Sequence, residues 1–159
     1  MRVGIGYDSH RFEVGRRLVL GGVEIPDTPG LAGHSDGDAV THAVTDAVLG
    51  AAGRGDIGGW FSPEDPRWRD ADSMALLRQV VAALQEDGVR VGNVDVTVVC
   101  EQPRIAPYAA GMRAGLAAAL DVSQDAVSVK GKSNEGLGWI GRGEGVAVMA
   151  VASVLYAGD

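Results

Sequence analysis

Cysteine is nearly absent. Cys100 is the only one in 159 residues, which excludes an internal disulfide and leaves the redox compartment open. Aromatic residues make up 5% of the chain, so Ala, Val and Leu must fill most of any core. The longest nearly uncharged apolar stretch, Val146 to Ala157, is shorter than the ~20 residues a membrane-spanning helix needs. Met1 leads straight into Arg-Val-Gly-Ile-Gly-Tyr-Asp-Ser-His10, with no basic stretch followed by an apolar one. No secretory leader is expected, and the chain reads as a soluble, cytoplasmic protein. Positive charge is also scarce: Lys+Arg 14 against Asp+Glu 21 gives a formal charge of −7 and a pI near 4.9. Such a surface repels phosphate backbones and argues against nucleic acid as a partner. An anionic substrate would be held instead by metal ions and backbone N–H groups.

What remains is the composition of one globular domain, residues 1–159. Hydrophobic residues are 46% and charged residues 22%, with mean hydropathy +0.07. A chain of this length buries roughly 70% of its unfolded surface, so it folds without a disulfide or metal staple. There is no composition break, repeat or linker. Val3 to Tyr7 and Leu18 to Ile25 have the β-branched content of strands. Val40, Ala43, Val44, Ala47 and Val48 recur at helical spacing and predict a helix from Asp38 to Ala52, closed by Gly53. Asp72 or Ser73 caps a second helix to about Asp87, stopped by Gly88. Val91 to Cys100 reads as a strand. Pro107 suits the first turn of a third helix that runs to Leu120. Val127 to Lys130 and Val146 to Leu155 complete the strands. The elements interleave without a strict strand–helix–strand rhythm. The expected fold is therefore α/β in two layers, a mixed sheet packed against helices.

All three histidines, His10, His34 and His42, lie in the first quarter of the chain. Asp8 and His10 sit two apart at a strand end, so extended geometry points both to one face. His42, on the following helix, offers a third ligand across the layer. One Asp and two His with an open position suit a catalytic zinc. The alternative is a strand-end turn and a surface histidine. Asp38, His42 and Asp46 form a stripe at i, i+4 and i+8. Asp38 or Asp46 would then orient His42 through its free nitrogen, unless the stripe is a solvated helix face. His34-Ser35-Asp36-Gly37-Asp38 precedes the helix and would either receive an oxyanion or cap the helix through Ser35 or Asp36. Near the C-terminus, Lys130 to Gly145 carries six glycines with Lys132, Ser133, Glu135 and Arg142 among them. It would either cradle phosphates around Mg²⁺ or supply tight turns. Its Gly-Lys-Ser lacks the spacing of a P-loop.

Tyr7-Asp-Ser-His10, Gly33-His-Ser-Asp-Gly-Asp38, Gly55-Asp-Ile-Gly58, Gly92-Asn-Val-Asp-Val-Thr97 and Gly141-Arg-Gly-Glu-Gly145 occur in that order along the whole chain. The ordered set strongly resembles the 2-C-methyl-D-erythritol 2,4-cyclodiphosphate synthase family of the non-mevalonate isoprenoid pathway. The resemblance implies a homotrimer of small single-domain subunits with active sites between neighbours. It implies Zn²⁺ on Asp8, His10 and His42, and a second divalent cation, Mg²⁺ or Mn²⁺, on Glu135. It assigns His34 and Ser133 as catalytic. Ser9, His34 and Ser35 would face the substrate, with His34 and Ser35 toward its 2-phosphate. Asp56, Ile57 and Gly58 would hold the methylerythritol beneath a flexible cover of Phe61, Ser62, Pro63, Glu64 and Asp65. Cys100, Glu101, Gln102, Pro103, Arg104, Ile105 and Ala106 would read the cytosine. Lys132, Ser133 and Asn134 would contact phosphate, with Trp139 and Arg142 as further contacts.

Many members carry Thr where this chain has Ser133, a commoner Phe where it has Trp139, and some an acid where it has Met149. The implied reaction converts 4-diphosphocytidyl-2-C-methyl-D-erythritol 2-phosphate to 2-C-methyl-D-erythritol 2,4-cyclodiphosphate and CMP. Two other readings use the same ligands: a metal-dependent phosphohydrolase, in which water replaces the internal phosphate, and a non-catalytic metal- or nucleotide-binding trimer.

Overall fold

The computed structural model describes residues 1–157. Among them a five-stranded mixed sheet runs in the order β4 (Gly30–Leu31), β1 (Arg2–Glu13), β7 (Gly145–Tyr156), β5 (Val89–Val99) and β6 (Val127–Lys132). Only the β5–β6 pair is parallel; the others are antiparallel. Helices α1 (Ala39–Ala52), α3 (Ser73–Glu86) and α4 (Ala109–Leu120) contribute to the core, and short helices α2 (Ile57–Trp60) and α5 (Gly138–Gly141) lie in the connections. The expected two-layer α/β arrangement is the observed one.

Period-2 alternation decides which face of the sheet meets the helices. Val94, Val96 and Val98 on β5 and Val146, Val148, Ala150, Ala152 and Val154 on β7 are buried, while Met149, Val151 and Leu155 are exposed. On β1 the covered positions are Gly4 and Gly6. A Cβ on Gly4 would lie 2.2 Å from the Ala47 carbonyl oxygen, and one on Gly6 1.9 Å from that of Ala43. Bare backbone at these two positions lets α1 settle directly on β1. The next positions on the same face are Asp8 and His10, so the strand that admits the helix also aims the ligands at it.

Three boundaries differ clearly from those expected, the first being that of β1, which runs on past Tyr7 to Glu13. Leu18 to Ile25 is not one strand but a hairpin of β2 (Leu18–Leu20) and β3 (Val23–Ile25). Gly21 and Gly22 adopt φ of 56° and 74°, the left-handed pair a two-residue hairpin turn requires. Pro107 lies ahead of α4, which starts at Ala109 after a turn closed by Tyr108 N–H donating to the Ile105 carbonyl.

Candidate active site

Asp8, His10 and His42 converge where β1 leaves the cover of α1. Asp8 Oδ2 lies 2.8 Å from His10 Nε2 and 2.9 Å from His42 Nδ1. Among the described residues these three side chains are the group whose ligand atoms gather closely enough to share a metal ion. Burial pushes the Asp8 pKa up, but hydrogen bonds from His10 and His42 outweigh it and hold the carboxyl well below its usual range. The hydrogen bond to Asp8 raises His10 against the opposing effect of burial. His10 Nδ1 lies 2.5 Å from the Ala32 carbonyl. A carbonyl only accepts, so Nδ1 carries a proton, and Nε2 is the nitrogen that faces Asp8, donating to it when His10 is charged and offering a lone pair to a metal when it is not. Two imidazole nitrogens and a carboxylate oxygen aimed at one point are the donor set of a zinc site with an open position.

The helix stripe works otherwise than expected. Neither the Asp38 nor the Asp46 carboxylate hydrogen-bonds the His42 ring, whose nitrogens face Asp8, Ser35 and Ser73. Asp38 is fully buried and caps α1, accepting from the N–H of Gly21, Gly22 and Thr41 and from the Thr41 hydroxyl. It is the helix cap in place of Ser35 or Asp36. Its burial raises its pKa despite those bonds. Asp46 accepts the Ile57 N–H at 2.8 Å, tying α2 to α1.

A cavity of about 230 Å³ opens beside the triad, lined by His34, Ser35, Asp46, Ile57, Gly58, Phe61, Pro63, Trp68 and Leu76 as well as the three ligands. Arg16 braces the loop before α1, donating to the carbonyls of Gly33 and Ser35. The segment expected as a flexible cover divides. Phe61 is buried edge-on against Trp68, 5.0 Å between ring centroids, and is a wall. Of the rest only Pro63 lines the cavity: Ser62 accepts the Glu64 N–H, Glu64 is exposed, and Asp65 pairs with Arg67. Asp56 caps α2 through the Gly59 N–H.

A second cavity, about 350 Å³, is lined by Cys100 to Ala106 with Gly131, Lys132 and Ser133. Here the ends of β5 and β6 are tied together by the Cys100 N–H, which donates to the Lys132 carbonyl. Burial pushes the Cys100 thiol up to about 11, so it is a packed residue rather than a nucleophile. Glu101 turns to the neighbouring loop and accepts the N–H groups of Asn134 and Gly136, which orders the turn carrying Glu135. Glu135 itself is exposed and accepts from the Ser133 hydroxyl at 3.0 Å.

Trp139 and Ser9 line a third cavity, together with His10, Arg11, Phe12, Gly143 and Glu144. Arg142 beside it pairs with Glu144 at 2.6 Å. Within one subunit the two residues assigned as catalytic, His34 and Ser133, therefore lie in different cavities. The register measures the gap: Asp8 pairs with Val148, Val148 with Val98, and Val98 with Gly131. Three strand spacings separate β1 from β6, roughly 14 Å. Sequence reasoning missed Trp68, Leu76 and Ser73, apolar or unremarkable residues whose nearness to the triad comes only from the docking of α3 and the turn before it.

A family model of the YgbB family matches residues 1–155. The chain is similar to the 2-C-methyl-D-erythritol 2,4-cyclodiphosphate synthase of Gemmatimonas aurantiaca, with 56% identity over 159 residues that cover 100% of this chain and 96% of that protein. Among solved structures it is similar to the bifunctional IspDF from Campylobacter jejuni, with TM-score 0.94 and 40% identity over 98% of this chain. It spans 42% of that longer chain. It also matches a 2C-methyl-D-erythritol-2,4-cyclodiphosphate synthase in a CDP-bound form, with TM-score 0.88 and 36% identity over 97% of this chain and 100% of the other.

Proposed function

The chain belongs to the YgbB family, and on that premise we infer that it closes 4-diphosphocytidyl-2-C-methyl-D-erythritol 2-phosphate into 2-C-methyl-D-erythritol 2,4-cyclodiphosphate and releases CMP. This is the phosphorus–oxygen lyase step of the non-mevalonate isoprenoid route that its relatives are named for. An oxygen of the 2-phosphate forms a bond to the β-phosphorus, and the bond from that phosphorus to the CMP phosphate oxygen breaks. The nucleophile is already an anion, so no strong base is required. The difficulty is bringing two anions into line, which positioning and fixed charge overcome.

The observation that carries this reading is the convergence of Asp8, His10 and His42 beside a small cavity walled by Ile57, Gly58 and Phe61. When bound, zinc on that triad supplies Lewis-acid polarisation of the β-phosphate, and a second divalent cation on Glu135 screens the phosphates. A single exposed carboxylate suits Mg²⁺ or Mn²⁺, which take most of their ligands from phosphates and water. His34 and Ser35 face the 2-phosphate. Ile57, Gly58 and the wall made by Phe61 and Pro63 enclose the methylerythritol, with Asp56 fixing the turn. The Cys100–Ala106 segment presents backbone groups to the cytosine. Lys132 and the Ser133 hydroxyl stabilise charge as CMP leaves.

A homotrimer completes the site, with the triad from one subunit and Lys132, Ser133 and Glu135 from its neighbour. The separation of the two cavities supports this. So does the outer sheet face, where Val3, Ile5, Tyr7, Met149 and Val151 are exposed side by side, an apolar patch of the kind another chain covers. On the same reading Ser9, Trp139 and Arg142 are further substrate contacts at that interface. No helix of the described residues is long and apolar enough to cross a membrane, and a cytoplasmic location is part of the same proposal. Phosphorus NMR of the reaction tests the whole: a cyclic diphosphate with CMP is expected. An open-chain phosphate would make the protein a phosphohydrolase, and unchanged substrate a non-catalytic binder.

A further inference from the structure

His42 reaches the metal position with Nδ1, and its other nitrogen runs into a chain of hydroxyl and carboxylate groups outside the substrate cavity. Nε2 lies 2.9 Å from Ser73 Oγ and 3.0 Å from Ser35 Oγ. Ser73 is fully buried at the start of α3, and its hydroxyl lies 2.5 Å from Asp36 Oδ1. Asp36 in turn accepts the N–H of Asp38 at Oδ1 and that of Ser73 at Oδ2. We propose that the Asp36–Ser73 pair fixes His42 in the orientation and tautomer that bind the metal, so that Ser73 is a positioning residue for the reaction.

The direction of each proton decides this. A carboxylate has nothing to donate, so the single Ser73 proton goes to Asp36. Toward His42, Ser73 Oγ then offers only a lone pair, and Nε2 must carry the hydrogen. With Nε2 committed as a donor, the lone pair of a metal-bound His42 can only be at Nδ1, 2.9 Å from Asp8 Oδ2, the position a metal would share. His10 reaches the same end by a different partner, the Ala32 carbonyl, so both imidazoles have their outer nitrogen committed as a donor. Ser35 can also take the Nε2 hydrogen, but no carboxylate accepts its own proton, and it lines the cavity where substrate enters. Ser73 does not serve the helix: α3 is capped by Asp72, which accepts the Met74 N–H. Its hydroxyl has His42 and Asp36 as its close partners, with Ser35 at 3.4 Å.

The inference rests on the metal reading of Asp8, His10 and His42. It is tested on the intact protein by chelator competition for zinc and by ¹⁵N-histidine NMR of the zinc-loaded form. Ser73→Ala should bind zinc about 10- to 100-fold more weakly than the wild type, the usual loss when the outer partner of a metal-bound histidine is removed. In the loaded wild type the His42 Nε2–H should be a hydrogen-bonded, slowly exchanging resonance. Ser73→Ala should shift it and speed its exchange, while the His10 Nδ1–H stays in place. A purely structural role would lower the melting temperature of the metal-free protein and leave affinity and resonance unchanged; that result overturns the proposal. Should Ser73→Ala not fold, the wild-type resonance decides alone, and a freely exchanging His42 Nε2–H overturns it. Failure of the wild type to bind zinc at all would instead overturn the metal reading.

Discussion

At the β1 end of the sheet, the side chains of Asp8, His10 and His42 are 23%, 19% and 13% exposed, and every ring nitrogen has a partner. At the β6 end, Lys132, Ser133 and Glu135 are all exposed, and Glu135 finds only the nearby Ser133 hydroxyl. The first region is finished within one subunit because α1 and α3 close over it and hold each donor by packing. The second lies at the end of β6, where its side chains stand in solvent. Its order comes from the Glu101 staple to the loop backbone. A preformed half beside an open half is what a site completed by a neighbouring chain needs.

The largest effect that sharpens this contrast is expected from His42→Ala. Loss of a metal ligand should cost several kcal/mol of transition-state stabilisation, about a thousand-fold or more in turnover. The cooperative thermal melt should survive, since the core of Val and Leu side chains does not depend on the ion. A structural zinc protein unfolds without its metal, so loss of the melt would mean that the finished half is scaffold rather than catalytic machinery.

A smaller effect distinguishes one chain from two. His42→Ala and Glu135→Gln should each be inactive alone. Refolded together at equal amounts into mixed trimers, a shared site works when one subunit keeps His42 and its neighbour keeps Glu135. Each condition holds half the time, so about a quarter of wild-type activity should return with head-to-tail interfaces. No recovery, with mixed trimers confirmed by mass spectrometry, would place both halves in one subunit.

The smallest effect concerns only the buried half. Asp8 is lowered from its ordinary 3.8, so its stabilisation is present above that value and lost as pH falls. His10 is raised from its ordinary 6.5, so its contribution is full below that value and lost as pH rises. The melting temperature of the metal-free protein should therefore fall as pH climbs through 6.5 and beyond, by roughly 2–4 °C for each kcal/mol lost. Zinc needs unprotonated imidazoles, so the loaded protein should gain stability over the same range. Parallel curves with and without zinc would contradict the assignment of His10 to the metal.

Much of this was legible in the residues themselves. The period-2 alternation of Val94, Val96 and Val98 and the helical spacing of Val40, Val44 and Val48 determine a sheet covered on one side, because burial of apolar side chains enforces those periods. Asp8 and His10, two apart on an extended strand, must share a face. The Gly21–Gly22 turn is written in the residues as well, but a run of β-branched residues hides a hairpin that only two left-handed backbone conformations reveal. Other features belong to the tertiary structure. The Asp38 carboxylate, expected on the His42 ring, is drawn instead to the N–H groups of Gly21 and Gly22 in the β2–β3 turn, which no local spacing records. Ser73, 31 residues beyond His42, meets its ring only because α3 docks beside α1. Short-range pattern determines which way a side chain points; which partner stands there is decided by how separate elements pack, and the hydrogen bonds that orient the metal ligands are of that second kind.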